Sequence, residues 1–185
     1  MIINIVTDLF ANKFRTKTTR LPEWDYSNAG GYFITICTQN KIRYFWEIIN
    51  QEVRLNDIWR IVEEEILKTN KVRNNVEIGE YIIMPNHVHF ILFIVETHCG
   101  VSQRHASGKS LQNINKYWWM IKSSLSSIIN MIKWSATKKI KKLTTNFQRQ
   151  SNFYEHIIRN EKDLERIYEY IQTNPLKREN DEYYI

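Results

Sequence analysis

Residues 76 to 95, VEIGEYIIMPNHVHFILFIV, decide the fold of this chain. The stretch from Val76 to Ile83 is rich in β-branched and aromatic residues, a composition typical of a strand. Met84-Pro85-Asn86 then predicts a turn, and residues 87 to 95 predict a second strand that is nearly all apolar after its two histidines. Because both faces of that strand are apolar, we expect it at the centre of a sheet that is covered on both sides.

Four more elements are predicted around this hairpin. Residues 32 to 38 are aromatic and β-branched, with glycine before them and Gln-Asn after them, and they predict another strand. Apolar residues recur at helical spacing over residues 53 to 68, 111 to 134 and 154 to 173, which predicts three helices. Pro175 disfavours the helical conformation of the residue before it, so the last helix should end there.

The order of these elements predicts an α+β fold. Strand, helix, strand, strand, helix and a final helix is the order of a ferredoxin-like, split βαβ domain. We therefore expect an antiparallel sheet with helices on one face and a C-terminal helix that carries Tyr170. Residues 1 to 30 predict an N-terminal arm, residues 31 to 178 the folded domain, and residues 179 to 185 a short tail.

Composition limits the classes of protein that fit. The 26 Lys and Arg residues outnumber the 20 Asp and Glu residues, and the resulting charge of +6 favours polyanionic partners. Cys37 and Cys99 each lack a CxxC neighbour, which argues against a disulfide framework or a zinc ribbon. The first residues lack the layout of a signal peptide, and no apolar run is long enough to cross a membrane. We therefore expect a cytoplasmic, nucleoid-associated protein.

His87-Val88-His89 is the first motif that could carry chemistry. Side chains alternate between the two faces of a strand, so both imidazoles should point the same way. Imidazole is a good ligand for first-row divalent metals, and two histidines at this spacing can share one ion. The alternative is that the pair only packs in the sheet.

Tyr170 and Asn174 form the second motif. The apolar stripe of the last helix consists of Leu164, Ile167, Tyr168 and Ile171. Tyr170 lies off this stripe, and Asn174 lies one helical turn beyond it on nearly the same side, so the hydroxyl and the amide oxygen could meet one ion. The alternative is a surface aromatic residue followed by an ordinary helix-end residue.

Three segments together resemble the signatures of the REP-associated tyrosine transposases, which belong to the HUH single-strand nucleases. The segments are MPNHVHF at residues 84 to 90, YEHIIRNE at residues 154 to 161 and YIQTNPLK at residues 170 to 177. Tyr26-Ser27 and residues 32 to 40 resemble the opening segment of that family, so the resemblance spans roughly residues 20 to 178.

The resemblance implies roles for four residues. His87 and His89 would be the paired histidines, Asn174 the third protein ligand of Mg²⁺ or Mn²⁺, and Tyr170 the nucleophile. It implies a transposase that cleaves and rejoins single-stranded or hairpin DNA through a covalent 5′-phosphotyrosine, with repeated palindromic elements as candidate targets. Tyr154, beside His156, is a rival nucleophile, although the residue four positions after it is Ile158, which is no ligand.

Residues 133 to 149 are strongly basic and contain no acidic residue. Their charges suit a DNA backbone, and Trp134 and Phe147 could stack on bases, although a solvated basic turn explains the pattern equally well. Lys122 matches a lysine that is common in the corresponding helix of the resembling family. The predicted DNA-binding residues are therefore Lys122, Lys138, Lys139, Lys141, Lys142 and Arg149.

Two other functions remain compatible with the sequence. One is a noncatalytic domain of the same fold that binds single-stranded nucleic acid, and the other is a metal-dependent hydrolase that activates water and forms no covalent adduct. His98 and Cys99, in a predicted flexible connection, have no regular spacing with His87 and His89 for a zinc site. Trp118 and Trp119 are expected in the core, and the protein could be a monomer or a homodimer.

Overall fold

The computed structural model describes residues 9–10, 13–14, 21, 23–49, 52–95 and 124–174. Two strands precede the main domain, and a single turn of 3₁₀ helix, Gln39–Lys41, follows its first strand. The elements are β1 (Leu9–Phe10), β2 (Lys13–Phe14), β3 (Gly30–Cys37), β4 (Trp46–Ile49), β5 (Glu52–Leu55), α1 (Asp57–Val72), β6 (Val76–Ile83), β7 (His87–Ile94), α2 (Leu125–Ile140), β8 (Tyr154–Ile158) and α3 (Glu161–Thr173).

Four strands form the central sheet in the order β6-β7-β3-β8, and every neighbouring pair is antiparallel. Within the domain β3 is the first strand, and it lies between β7, the third, and β8, the fourth. This is the strand order of a ferredoxin-like split βαβ fold. The predicted α+β fold class is therefore confirmed. The strand β7 is central, and seven of its eight residues are buried, as its two apolar faces predicted.

The two faces of the sheet pack against different helices. Val88, Phe90 and Leu92 of β7 point into a large apolar core that is shared with α1 and α2. Ile91, from the alternate face, packs with Ile167 and Ile171 of α3 in a smaller core. Because His87 and His89 have the same parity as Ile91, strand alternation directs them to the α3 face of the sheet.

Side-chain caps fix where two helices begin. Asn56 Oδ1 accepts a hydrogen bond from the Trp59 amide at 2.9 Å, at the start of α1. Asn160 Oδ1 accepts from the Asp163 amide at 2.9 Å, at the start of α3. Each cap satisfies one of the amide donors that the first turn of a helix leaves unpaired.

Two predicted boundaries are wrong for related reasons. The helix predicted over residues 53 to 68 begins only at Asp57, because residues 52–55 pair with β4 in a hairpin, and it continues to Val72. The helix predicted over residues 154 to 173 is two elements, since residues 154–158 pair with β3 as the edge strand of the sheet. In both cases backbone pairing with a distant or neighbouring strand prevails over the helical spacing of side chains.

The second predicted helix is only partly within the described residues. Within the described residues the prediction is wrong at both ends: Ser124 is extended, so α2 begins at Leu125, and it runs to Ile140, six residues beyond the predicted end at Trp134. Lys122, Trp118, Trp119 and the connection that holds His98 and Cys99 lie outside the described residues. In the part of the chain that the structure describes, no helix is both long and apolar enough to span a bilayer.

Candidate active site

His87 and His89 stand side by side on the α3 face at the beginning of β7. Both side chains are buried, at 0% and 1% exposure, and their ring centres are 4.6 Å apart. In the sheet register, Cys37 and Thr35 of β3 lie opposite them. The predicted convergence of the two imidazoles is therefore present, at a point where the strand emerges from the Met84-Pro85-Asn86 turn.

Two neighbours fix the orientation of His89. Thr35 Oγ1 lies 2.8 Å from His89 Nδ1, and the Phe33 ring stacks on the imidazole with ring centres 5.2 Å apart and planes inclined by 19°. The hydrogen bond at Nδ1 leaves Nε2 as the nitrogen that faces α3. A hydrogen bond at one ring nitrogen sets which nitrogen is available as a ligand.

Asn86 does the same for His87. Asn86 Oδ1 is 2.7 Å from His87 Nδ1, and a carbonyl oxygen can only accept, so Nδ1 carries the proton. In the neutral ring the lone pair is then on Nε2, which is buried. Both histidines thus use Nδ1 for a hydrogen bond to a neighbouring side chain.

Tyr170 of α3 reaches this pair across the interface. Its hydroxyl is 3.3 Å from His89 Nε2, and its ring meets the edge of Phe33 with centres 5.9 Å apart. Asn174 follows one turn later. Its backbone N–H donates to the Tyr170 carbonyl at 2.9 Å, and the residue is buried. The half-buried Tyr170 therefore lies beside the apolar stripe of α3, as predicted, with its hydroxyl directed at a histidine.

The donor atoms suit a divalent cation. The described residues contain no cluster of three His, Cys, Asp or Glu side chains, so any site here uses the two imidazoles with a different third donor. Asn174 Oδ1 is a buried amide oxygen one turn from Tyr170 and is the candidate for that donor. Two imidazole nitrogens and an amide oxygen fit Mn²⁺ well, whereas Mg²⁺ would depend more on water and phosphate oxygens.

Tyr154 and His156 lie on β8, at the edge of the same face. In the register, Thr35 lies between Tyr154 and His89, so Tyr154 is two strands away from the histidine that Tyr170 contacts. His156 Nε2 is 2.7 Å from Asp163 in the first turn of α3. This hydrogen bond, with a second from Arg166, lowers the pKa of the Asp163 carboxyl. His156 therefore ties β8 to α3.

The predicted basic residues differ in what they contact. Lys138 is exposed over Trp134, with its Nζ 5.0 Å from the ring centre, and Lys141 and Lys142 are exposed just after α2. Lys139 instead forms ion pairs with Glu65 at 2.7 Å and Glu64 at 3.5 Å. The structure thus leaves Lys138, Lys141 and Lys142 exposed to a partner, whereas Lys139 already has acidic neighbours.

Arg149 and Phe147 are held within the fold. Arg149 Nε donates to Thr137 Oγ1 at 2.9 Å, and the Arg149 backbone forms an isolated β-bridge with Thr38, just beyond β3. Phe147 is buried against Tyr44 and Phe45, so the expectation that it stacks on bases is wrong. Because Phe147 lies between basic residues in the sequence, nothing there indicated that its ring would be buried.

Lys133 is a structural residue that sequence analysis counted only as a basic charge. It is 2% exposed, and its Nζ donates to the carbonyls of Ser151 at 2.6 Å and Asn152 at 3.0 Å. Burial lowers its pKa from the ordinary 10.5 to about 8. Lys133 therefore anchors the backbone that leads into β8. Its position on the apolar face of α2 was the available signal.

The fold defined by this sheet and its helices is that of a solved transposase. The structure of a REP-associated tyrosine transposase bound to a REP hairpin is similar with a TM-score of 0.54 and 21% identity, over 88% of this chain and 74% of that one. A putative transposase from Deinococcus radiodurans R1 gives a TM-score of 0.43 and 10% identity, over 86% of this chain and 97% of that one. The fold is therefore shared with the REP-associated enzyme.

Sequence comparison places the chain in a family. It is 37% identical over 170 residues to a Haemophilus influenzae protein described as uncharacterized, which covers 91% of this chain and 93% of the relative. The chain therefore belongs to the same family as that protein. No established family profile matches the sequence.

Proposed function

We propose that the protein is a metal-dependent transposase and endonuclease that cleaves and rejoins single-stranded or hairpin DNA through a 5′-phosphotyrosine on Tyr170. One observation carries the proposal: the Tyr170 hydroxyl lies 3.3 Å from Nε2 of His89, beside the equally buried His87. The hydroxyl that would attack thus lies beside two imidazoles that can bind a metal, and Asn174, one helical turn after Tyr170, adds a buried amide oxygen on the same helix.

In the proposed reaction the Tyr170 oxygen attacks a backbone phosphorus. The new bond joins Tyr170 Oη to phosphorus, the bond from phosphorus to the 3′ oxygen breaks, and the departing 3′ oxygen takes up a proton. Rejoining is the reverse displacement by a 3′ hydroxyl, which needs no external energy source because one phosphodiester replaces another. A phenol with a pKa of about 10 must lose its proton during attack.

His87, His89 and Asn174 would hold the Mn²⁺ or Mg²⁺ ion through Nε2, Nε2 and Oδ1. When bound, the cation would offset the charge that develops on the nonbridging phosphate oxygens. Thr35 and Asn86 would keep the two imidazoles turned toward this point through their hydrogen bonds at Nδ1. The Nε2 atom of His89 that meets Tyr170 is also the atom that would bind the ion.

The proposed substrate follows from the position of the site and from the structural relative. Tyr170 and the histidines lie between a helix and a sheet, which suits a single backbone better than a duplex. The similar transposase is bound to a hairpin, which supports hairpin DNA as a substrate class here. Lys138, Lys141 and Lys142 are exposed where α2 ends and could follow the DNA backbone.

A labelled single-stranded hairpin incubated with the protein and Mn²⁺ tests this proposal on a denaturing gel. The wild type should give a protein band shifted by covalent DNA, and Tyr170→Phe should lose it. Tyr168→Phe is the matched control, since Tyr168 is on the same helix and only partly buried. His87→Ala should lose the adduct while it still binds DNA. Cleavage without any adduct would instead indicate a hydrolase that uses water.

A further inference from the structure

One row of side chains crosses the site face of the sheet from the histidines to its open edge. His89 of β7, Thr35 of β3 and Tyr154 of β8 are directly paired in the register. Ile157 of β8 packs into the core on the opposite face, and Ile158 packs under α3. Alternation along β8 therefore places Tyr154 on the same face as His89 and Tyr170.

The helix α3 covers only part of this face. Its buried residues Ile167 and Ile171 pack on Ile91, Phe33 and Ile158, toward the beginning of β3. Tyr154 lies nearer the end of β3, opposite Thr35, and remains 43% exposed. A flat aromatic ring is thus presented to solvent at the edge of the sheet, next to the covered half that holds Tyr170.

The backbone beneath Tyr154 is held in place. Lys133 Nζ donates to the carbonyls of Ser151 and Asn152, three and two residues before Tyr154. Phe153 packs partly into the main core, with the Lys133 ammonium 5.6 Å from its ring centre. Tyr154 itself pairs with Thr35 in the sheet. A ring on such a rigid support loses little conformational entropy when a ligand covers it.

The distance from this ring to the site suits a neighbouring nucleotide. Tyr154 is two strand spacings from His89, about 10 Å along the sheet. A strand of DNA whose phosphate lies at Tyr170 would pass a base over this edge within one or two nucleotides. Aromatic side chains bind bases of any type by stacking on their π faces.

From this row we propose that Tyr154 is a nucleobase-stacking subsite of the enzyme, which binds a base within two nucleotides of the cleaved phosphate. This inference rests on the proposed function of Tyr170. It gives Tyr154 the role of a binding residue that acts through its ring, and its hydroxyl is not needed for the covalent step.

Single abasic substitutions at the two nucleotides on each side of the cleavage position test the subsite. Binding of single-stranded DNA is measured by fluorescence anisotropy for the wild type, Tyr154→Leu and Tyr154→Phe. Tyr154→Leu keeps an apolar side chain without a π face and should bind about 10-fold more weakly, whereas Tyr154→Phe should bind like the wild type and still form the covalent adduct. At one of the four positions, the abasic substitution should weaken binding by the wild type by about the same factor. The same substitution should not change the affinity of Tyr154→Leu.

Additive effects of Tyr154→Leu and the abasic substitution at all four positions would overturn the subsite. So would wild-type affinity in Tyr154→Leu, or weak binding in Tyr154→Phe, which would assign the contact to the hydroxyl. The binding cycle needs no cleavage. Absence of a covalent adduct in the wild type would therefore count against Tyr170 as the nucleophile, while the anisotropy data would still report on Tyr154.

Discussion

At the scale of single residues, the hydrogen bonds behind the histidines hold both imidazoles in a fixed orientation. Thr35 Oγ1 and Asn86 Oδ1 contact the Nδ1 atoms of His89 and His87, so Nε2 is the atom of each ring that would bind the proposed ion. Partners of this kind usually change metal affinity or activity by about 10- to 100-fold. Their contribution can be measured without any DNA chemistry.

Thr35→Val should weaken Mn²⁺ binding by about 10-fold or more, because the valine has nearly the same shape but cannot hold His89 Nδ1. Isothermal titration calorimetry with Mn²⁺ measures this change. Thr69→Val is the control: Thr69 is 5% exposed against 3% for Thr35, and its hydroxyl donates to the Glu65 carbonyl on α1. Equal Mn²⁺ affinity in Thr35→Val and the wild type would show that this hydrogen bond does not orient a ligand.

The convergence of His87, His89 and Tyr170 could be anticipated from strand alternation, helical spacing and family resemblance together. Thr35 and Asn86 could not, because their contacts depend on which residues face each other across β3 and β7 and on the shape of the turn. Lys133 was equally hidden, since its partners are main-chain carbonyls 18 and 19 residues away. Its position on the apolar face of α2 was a signal of burial, but nothing in the sequence indicated these partners.

At the scale of elements, two glycines accommodate one aromatic ring on the α3 face. A Cβ atom at Gly31 of β3 would lie 3.1 Å from the Phe93 ring and 3.3 Å from Ile158 Cβ, and one at Gly79 of β6 would lie 3.2 Å from the other side of the same ring. Both contacts are tighter than side chains normally allow. The Phe93 ring therefore packs against Gly31 on one side and Gly79 on the other, where the lack of a Cβ atom leaves room for it.

Gly31→Ala should destabilise the protein by about 1 to 3 kcal/mol, because the added methyl group must displace the partly buried Phe93 or Ile158, which pack under α3. Gly30→Ala is the matched control. Its Cβ would be 3.6 Å from the nearest atom, an ordinary contact, so its free energy of unfolding should be close to that of the wild type. Urea unfolding measures both variants, and equal stability of the two would contradict the packing described for Phe93.

Because Lys133 is buried where α2 meets the backbone that leads into β8, we expect its contribution to the free energy of unfolding to depend on pH. Its pKa of about 8 in the folded protein is below the ordinary 10.5, so between these values the unfolded chain binds more protons. Its contribution to stability should therefore increase as the pH rises from 8 to 10.5, by at most about 1.4 kcal/mol per pH unit, and stay constant below pH 8.

Unfolding free energies of the wild type and Lys133→Met, measured from pH 7 to 10.5, isolate this contribution. The free energy of unfolding of the wild type minus that of Lys133→Met should increase as the pH rises above about 8. A difference that stays flat or falls would mean that the Lys133 pKa is not lowered by burial.

Elements were predictable where one local pattern dominated. Residues 76 to 83 form β6 as predicted, because the strand composition and the following turn agree. Residues 154 to 158 were assigned to a helix because their apolar positions continue into α3. Only the β3 edge shows that they form a strand, and the cap at Asn160 marks where the helix begins.

At the scale of the whole molecule, the exposed lysines and the candidate active site lie on opposite faces of the sheet but near one end of it. The helix α2 packs on the face away from Tyr170, yet Ile140 at its end lines a small cavity together with Ile36 near the end of β3. The DNA that we propose as substrate would therefore reach from the basic end of α2 around the edge to the site.

This arrangement predicts which lysines contribute to the salt dependence of DNA binding. Combined substitution of Lys138, Lys141 and Lys142 by alanine should reduce the slope of log K against log salt by about 2, since each neutralised phosphate of a single strand contributes about 0.7. Lys139→Ala is the control, because Lys139 already pairs with Glu65 and Glu64. An unchanged slope in the triple variant, or an equal loss in Lys139→Ala, would place the DNA elsewhere.

The central claim is that Tyr170 becomes covalently joined to DNA, and peptide mass spectrometry tests it most directly. Trypsin separates the two candidate nucleophiles, since Tyr170 lies in the peptide of residues 167 to 177 and Tyr154 in that of residues 150 to 159. After reaction and nuclease trimming, we predict a phosphodeoxynucleotide on the first peptide, which fragmentation assigns to Tyr170 rather than Tyr168. A nucleotide on Tyr154, or cleaved DNA with neither peptide modified, would contradict the account.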